Sequence, residues 1–288
     1  MVSINGNAKV NLTLDILGVR EDGFHEVAMV MQEISLHDTV ELSKTDGDIT
    51  LIIDGSDLPA DETNLAWRAA KLIKDEYKLC GGAAIRLYKR IPIAAGLAGG
   101  SADAAAVLKG MNELYELSIS EEELCRLGAR LGSDIPFCIM GGTMLSTGRG
   151  EFLERLPDFP ECWMVLAKPP IGVSTAWAYK TYDNGYDGPH PDNAAMLEAI
   201  ESGDMEKAAS LLCNVLEGVT AAAHKEINEY KSIMMKNGAM ASMMSGSGPT
   251  CFCIARNEAS ANEIAGALRA EGIEDVFAVK TVKQKEEI

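Results

Sequence analysis

The stretch Pro92-Ile-Ala-Ala-Gly-Leu-Ala-Gly-Gly-Ser-Ala-Asp-Ala-Ala-Ala106 decides how this chain is read. Its first eleven residues are Pro92, Ile93, Ala94, Ala95, Gly96, Leu97, Ala98, Gly99, Gly100, Ser101 and Ala102, of which three are glycines and four alanines. A backbone with so few side chains lets a large ligand come close. Ser101 suits a helix N-cap, and Asp103 to Leu108 reads as the helix that follows. A glycine-rich loop feeding a helix N-terminus presents unpaired N–H groups and the positive end of a helix dipole, which together favour an anion, most often a phosphate. The common phosphate loops do not fit. No Gly-Lys-Ser/Thr follows, as a Walker A loop requires, and Gly96-Leu-Ala-Gly99-Gly100 is not G-x-G-x-x-G. The protein-kinase glycine loop fails on the same spacing. Two readings remain for the segment by itself, a phosphate cradle of another kind and a flexible turn capped by Ser101.

The rest of the composition bounds the partners. The chain has 288 residues, 47% of them hydrophobic, enough for one large domain or two modest ones. Its formal charge of −17, from 43 acids against 26 bases, argues against a nucleic-acid binder, which carries a basic face, and against an anionic membrane surface. It also means that a phosphate site needs local positive field. Lys89 and Arg90, just before the loop, are candidates to supply it, the alternative being the solvated end of a strand. The seven cysteines are scattered. Cys251 and Cys253 share one strand face and read as small core residues rather than metal ligands, so no metal site is assigned. Reduced thiols, an N-terminus without a basic-then-apolar pattern and no apolar run of ~18 residues point to the cytoplasm.

Outward from the loop, periodicity places the elements. In residues 8–17, Val10, Leu12, Leu14 and Ile16 point one way and Lys9, Asn11, Thr13 and Asp15 the other, the pattern of a half-buried strand with its polar face away from the core. Further strands are predicted at 26–36, 38–44, 49–53 and 83–90. Asn64 to Tyr77 reads as an amphipathic helix, and Ser120-Glu-Glu-Glu123 as the capping box of another. In the second half, strands are predicted at 162–168, 240–245, 250–255 and 275–282, and helices at 174–183, 193–202, 204–216, 224–237 and 258–270. Gly246-Ser-Gly248 reads as a tight turn between two strands. Glycine, proline and charge cluster near 149–161, giving two domains, 1–155 and 156–288, in an α+β fold.

Three separated motifs now stand in order: Ala8-Lys-Val-Asn-Leu12 with Asp22-Gly-Phe-His-Glu26, the loop from Pro92 to Ala106, and Ser245-Gly-Ser-Gly-Pro-Thr250. Together they resemble the GHMP kinases over nearly the whole chain. They are similar in particular to the branch acting on a cytidine-diphosphate-linked methylerythritol, which combines A-K-x-N-L, D-G-[YF]-H and paired glycines before serine. The resemblance implies a two-lobed fold. The N-terminal lobe holds ATP and carries a left-handed βαβ crossover, which pattern reading would not give; the C-terminal lobe is ferredoxin-like. It implies transfer of the γ-phosphoryl of ATP, with Mg²⁺, to the 2-hydroxyl of the erythritol moiety.

It also implies roles, residue by residue. Asp134, in Gly132-Ser-Asp-Ile-Pro-Phe137, is the expected base, although by residue type alone it reads as a helix cap. Lys9 is the expected cation, keeping that carboxylate ionised and stabilising charge in transfer; its plain reading is a solvated strand lysine. Asn11 is expected to orient the substrate, and His25 to read the cytosine edge. Phe24 and Tyr179 are expected to stack on the cytosine, with core packing as their alternative. Gly246, Ser247 and Gly248 would wall the site near the substrate phosphates. Pro92 to Ala102 would wrap the ATP phosphates, and Asn64 either contacts the nucleoside or caps its helix. Ala94, Ala95 and Ala98 replace glycines of some relatives, and Ala102 replaces a second serine, which leaves Ser101 as the loop's hydroxyl. Two other functions stay open at this point: a GHMP kinase for another small alcohol, and an inactive nucleotide-binding regulator on the same fold. Asp22-Gly-Phe-His25 argues against the first, and the presence of Lys9 and Asp134 against the second.

Overall fold

The structure, a computed structural model, describes residues 1–284, which form an α+β fold of eleven strands and ten helices. They group into two compact units, one of Met1–Ala8, Leu36–Ile91 and Ala98–Gly141, the other of Lys9–Ser35, Pro92–Leu97 and the chain from Gly142 on. Strands β1 (Val2–Val19) and β2 (His25–Thr45) contribute residues to both.

The first unit is completed by β3 (Thr50–Asp54), α1 (Leu65–Glu76), β4 (Gly82–Tyr88), α2 (Gly99–Tyr115), α3 (Glu121–Ala129) and α4 (Ile135–Met140). β4 runs antiparallel to the end of β2, from Thr39 opposite Tyr88 to Thr45 opposite Gly82, and parallel to β3. β3–α1–β4 is thus a β–α–β unit. α1 buries Ala66, Ala69, Ala70 and Ile73, the spacing of one helical face, and α2 buries a run from Ala102 to Leu108. Small residues let helix and sheet approach. A Cβ on Gly6 of β1 would lie 2.5 Å from the Ala102 carbonyl oxygen, and one on Gly110 would strike Leu42 of β2.

Two strands predicted at 26–36 and 38–44 are one strand of 21 residues. The reason is unbroken parity: Val30, Gln32, Ile34, Leu36, Asp38, Val40 and Leu42 are all buried, so nothing turns the chain at His37. β1 corrects a second expectation. Its polar set Lys9, Asn11, Thr13 and Asp15 is as buried as its apolar set, because both faces are covered.

The second unit adds β5 (Thr143–Gly148), β6 (Phe152–Arg155), β7 (Trp163–Lys168), α5 (Thr175–Tyr182), α6 (Asn193–Glu201), α7 (Met205–Ser210), β8 (Cys213–Asn214), α8 (Val215–Ala223), α9 (Glu226–Lys236), β9 (Ala241–Met244), β10 (Cys251–Ala255), α10 (Glu258–Ala270) and β11 (Asp275–Lys280). β5 and β6 form a hairpin not predicted from sequence, turning at the charged glycine cluster after Gly148, with β5 antiparallel to the first part of β2. The order β11-β7-β10-β9, antiparallel throughout, is that of a ferredoxin-like split βαβ sheet. The helix predicted at 204–216 ends at Ser210. Cys213 and Asn214 instead pair in parallel with Thr13 and Leu14, and the Asn214 side chain starts α8 by accepting from the Leu216 N–H. Cys251 and Cys253 are fully buried core residues, and burial pushes the Cys253 thiol up to about 12. Among the described residues no helix is long and apolar enough to cross a membrane.

Candidate active site

In the first unit the glycine-rich segment ends in α2, which begins two residues before Ser101. Ala98 takes the cap position in the left-handed region, at φ 58°, and its carbonyl accepts the Ala102 N–H at 2.9 Å. Ser101 is therefore the third helical residue, not the N-cap, and no side chain caps α2. An uncapped N-terminus leaves its N–H groups and dipole for an anion. Ala102 is fully buried and meets β1 at Gly6, so a hydroxyl there would face the core rather than the loop. Ala94 also stands in the left-handed region, at φ 50°. A non-glycine residue there is strained by about 1–2 kcal/mol, so Ala94 and Ala98 are the two replacements of glycine that matter conformationally, and Ala95 is not.

Lys89 does not supply field to solvent. Its ammonium is buried between two carboxylates, bonding Asp38 Oδ2 and, at 2.7 Å, Asp103 Oδ2. Asp38 Oδ1 accepts the Arg90 N–H at 2.5 Å and the Ile91 N–H at 2.8 Å. Burial, with Asp38 adding to it, pushes the Asp103 carboxyl up to about 7 against the pull of Lys89. Burial alone would lower the Lys89 pKa, yet Asp103 and Asp38 hold the ammonium above its ordinary value. Arg90 is exposed.

Asp134 sits at the N-cap position of α4 but makes no cap bond, and Pro136 fixes the turn behind it. Its carboxylate is thus not engaged in capping, the role residue type alone would give it. Asn64 does cap: Oδ1 accepts the Ala66 N–H at 2.9 Å and Nδ2 donates to the Pro59 carbonyl at 3.0 Å. Both ends of its amide serve the start of α1.

The second unit gathers the other predicted residues into two groups. In one, Lys9 Nζ donates to Asn11 Oδ1 at 2.7 Å, and Asn11 Nδ2 reaches Met29 Sδ at 3.4 Å. The Lys9 N–H bonds the Leu97 carbonyl at 3.2 Å, and Ser245 Oγ donates to the Gly96 carbonyl at 3.0 Å. A side chain on Gly96 would collide with the Ser245 carbonyl, so only glycine fits there. The turn between β9 and β10 comes as near: a Cβ on Gly246 would be 3.1 Å from the Gly96 carbonyl oxygen and 3.6 Å from Asn11 Oδ1. Asn214 Nδ2 holds that turn through the Met244 and Gly246 carbonyls, both at 2.8 Å, and Ser247 Oγ lies 3.1 Å from Thr175 Oγ1.

In the other group His25 and Tyr179 lie with ring centroids 4.8 Å apart, tilted by 43°. His25 Nε2 is 2.8 Å from Asp183 Oδ1; a carboxylate accepts, so the proton sits on Nε2. Phe24 is 55% exposed rather than packed in a core, and the Arg149 guanidinium lies 5.1 Å from its ring.

Sequence reasoning missed Asp38, Asp103, Asp183 and Arg149, along with Asn214 and Thr175 beside the Gly246 turn. Asp38 had a signal, as the one acid in an otherwise buried parity. Asp103 was read as a plain helix residue. Asp183, four residues beyond Tyr179, shares its helical face, and Arg149 was taken as part of a linker.

The comparisons with known proteins agree with each other. The GHMP kinases N terminal domain matches residues 64–142, and the GHMP kinases C terminal domain matches 196–274. The chain is 45% identical over 286 residues to the 4-diphosphocytidyl-2-C-methyl-D-erythritol kinase of Brevibacillus brevis, covering 99% of this chain and 98% of that one. To the enzyme of that name from Bacillus subtilis it is 46% identical, with 96% of each chain covered. A crystal structure of 4-(cytidine 5'-diphospho)-2C-methyl-D-erythritol kinase superposes with a TM-score of 0.84 at 33% identity, covering 97% of this chain and 99% of the other. Mevalonate kinase of L. major, at 17% identity and a TM-score of 0.78, shares the fold.

Proposed function

The chain belongs to the GHMP kinases and, within them, to the 4-diphosphocytidyl-2-C-methyl-D-erythritol kinases. On that premise we propose how its residues divide the work of moving the γ-phosphoryl of ATP to the 2-hydroxyl of 4-diphosphocytidyl-2-C-methyl-D-erythritol, a step of the non-mevalonate isoprenoid route. Phosphoryl transfer needs positioning and charge stabilisation more than covalent chemistry. The ATP phosphates lie along Pro92 to Ala102 and over the uncapped start of α2. Asn64 orders the approach to α1 rather than reading the nucleoside. Asp134 accepts the proton of the attacking hydroxyl, and Lys9 neutralises charge as it builds. Asn11 orients both Lys9 and the acceptor, and the Gly246-Ser247-Gly248 turn closes over the diphosphate. His25 and Tyr179 take the cytosine, with Phe24 as the second, exposed face of the stack.

Supporting this reading, residues from three separated motifs lie together: Lys9 and Asn11, Gly96 and Leu97, and Gly246. That single observation carries the assignment. Mg²⁺ is expected to arrive on the nucleotide, as it usually does, held by phosphates and water with few protein ligands. The donor set fits that mode, since Ser101 is the loop's one hydroxyl and no cluster of three acidic, histidine or cysteine side chains forms among the described residues. When bound it would neutralise the β- and γ-phosphate oxygens. The division into domains 1–155 and 156–288 is supported by where the two family matches fall. A cytoplasmic setting, where ATP and thiols coexist, suits seven free cysteines.

The test is ADP release from ATP with 4-diphosphocytidyl-2-C-methyl-D-erythritol, mevalonate or homoserine as acceptor. Only the first should turn over efficiently, and preference for either of the others overturns the substrate. Asp134→Asn should lower kcat by about 10²–10⁴-fold, with Lys9→Met comparably impaired and both still folded. Near-normal kcat in either folded variant removes its role.

A further inference from the structure

The assigned roles leave one buried ionic cluster unexplained, Asp38–Lys89–Asp103. Its side chains are 0%, 4% and 4% exposed, and the two acids share one cation. Replacing such a cluster by apolar residues is often neutral for stability, so its presence calls for a reason other than stability. Its position supplies one. Lys89, Arg90 and Ile91 are the three residues before Pro92, and Asp103 is the first residue after Ala102. One Asp38 oxygen fixes the backbone N–H groups of Arg90 and Ile91 at the loop's entry. Its other oxygen fixes Lys89, and Lys89 grips Asp103 at the loop's exit. The ammonium also lies 3.5 Å from where a Cβ on Gly99 would be, under the first residue of α2. Between these grips the loop holds two alanines in the left-handed region and a helix start without a side-chain cap. A strained, uncapped segment keeps its shape only when its surroundings determine it.

We propose that Asp38, Lys89 and Asp103 are positioning residues that clamp both ends of the glycine-rich loop, so that its backbone N–H groups are set for the ATP phosphates before ATP arrives. None of the three is assigned a contact with the nucleotide; they act through the backbone of Arg90 and Ile91 and through Asp103 on α2. The proposal rests on the reading of Pro92 to Ala102 as the ATP loop.

The test compares Asp103→Ala, which removes the grip, with Asp103→Asn, which keeps an acceptor for Lys89. Two measurements are made on the full chain: amide hydrogen exchange of residues 92–102 without nucleotide, and steady-state kinetics with both substrates. Asp103→Ala should speed exchange in the loop while the strands of the second unit stay protected. It should also raise KM for ATP by about 10–100-fold, the scale of a small misplacement. KM for the cytidine substrate should move less than about two-fold, the pattern of a lost ATP-positioning element rather than general damage. Asp103→Asn should recover most of the loss. Folded Asp103→Ala with wild-type loop exchange and wild-type KM for ATP overturns the clamp, as do equal rises in both KM values that Asp103→Asn shares. If Asp103→Ala does not fold, Asp38→Asn carries the same two readouts, because one remaining acceptor cannot serve both Lys89 and the backbone. Calorimetry of wild-type protein with ATP separates the premise. No binding there, with exchange still faster in Asp103→Ala, overturns the nucleotide reading and not the clamp.

Discussion

Two clusters of this molecule pair a base with an acid, and they differ in what surrounds them. Lys89 lies between Asp38 and Asp103 with every side chain 4% exposed or less. His25 pairs with Asp183 beside Tyr179, and there the histidine side chain is 14% and the aspartate 44% exposed. In the first, water cannot replace a lost partner, so the groups are committed to one another and fix backbone. In the second, water already competes, so a ligand can take a place in the cluster at small penalty. Burial, rather than the residue types, divides an ion cluster closed to water from one open to a ligand.

That contrast can be broken. Lys89→Met would leave two buried acids without their shared cation, and removing one partner of a buried ionic group typically destabilises by about 3–5 kcal/mol. Asp183→Asn, at a half-exposed pair, should change stability by less than about 1 kcal/mol. Urea titrations of both variants read the difference, and equal effects would erase the distinction. Next in size, Tyr179→Ala should weaken the cytidine substrate by about 1–3 kcal/mol, the usual worth of stacking on a base. It should leave KM for ATP unchanged; a loss confined to ATP would remove the proposed cytosine role of Tyr179. The buried cluster should also show itself as a pH slope. Burial raises the folded Asp103 carboxyl to about 7, above its unfolded value, so the folded state holds this proton more tightly. The stability it contributes is full below the unfolded pKa and is lost as pH rises toward 7. Melting temperatures from pH 4 to pH 8 should therefore show Asp103→Asn gaining on wild type as pH rises. A constant difference between the two curves would mean that Asp103 does not titrate in this range.

Much of the candidate site was legible in the chain because its residues sit in short motifs with fixed local geometry. Alternation alone put Lys9 and Asn11 on one face of a strand, and they bond there. Tyr179 and His25 were named from different halves of the sequence and lie together. What could not be read depends on partners far along the chain. Asp38 and Lys89 are 51 residues apart, and Asp183 is 158 from His25. Lys89 looked like a source of field at a loop because nothing local shows that it is enclosed. Ser101 looked like a cap because its residue type favours one, whereas the carbonyl of Ala98, in a conformation alanine rarely adopts, begins the helix.

By itself the sequence determined the elements, through the periods of its apolar residues, and the kinase family, through three ordered motifs. Only the tertiary structure decided which charges are buried. A side chain's exposure is set by what folds over it: β1 is covered on a face that its own alternation marks as polar, and Asp38 of β2 is enclosed within a largely apolar face. The same covering turns Asp38, Lys89 and Asp103 from three surface-like residues into a clamp on the loop from Pro92 to Ala102.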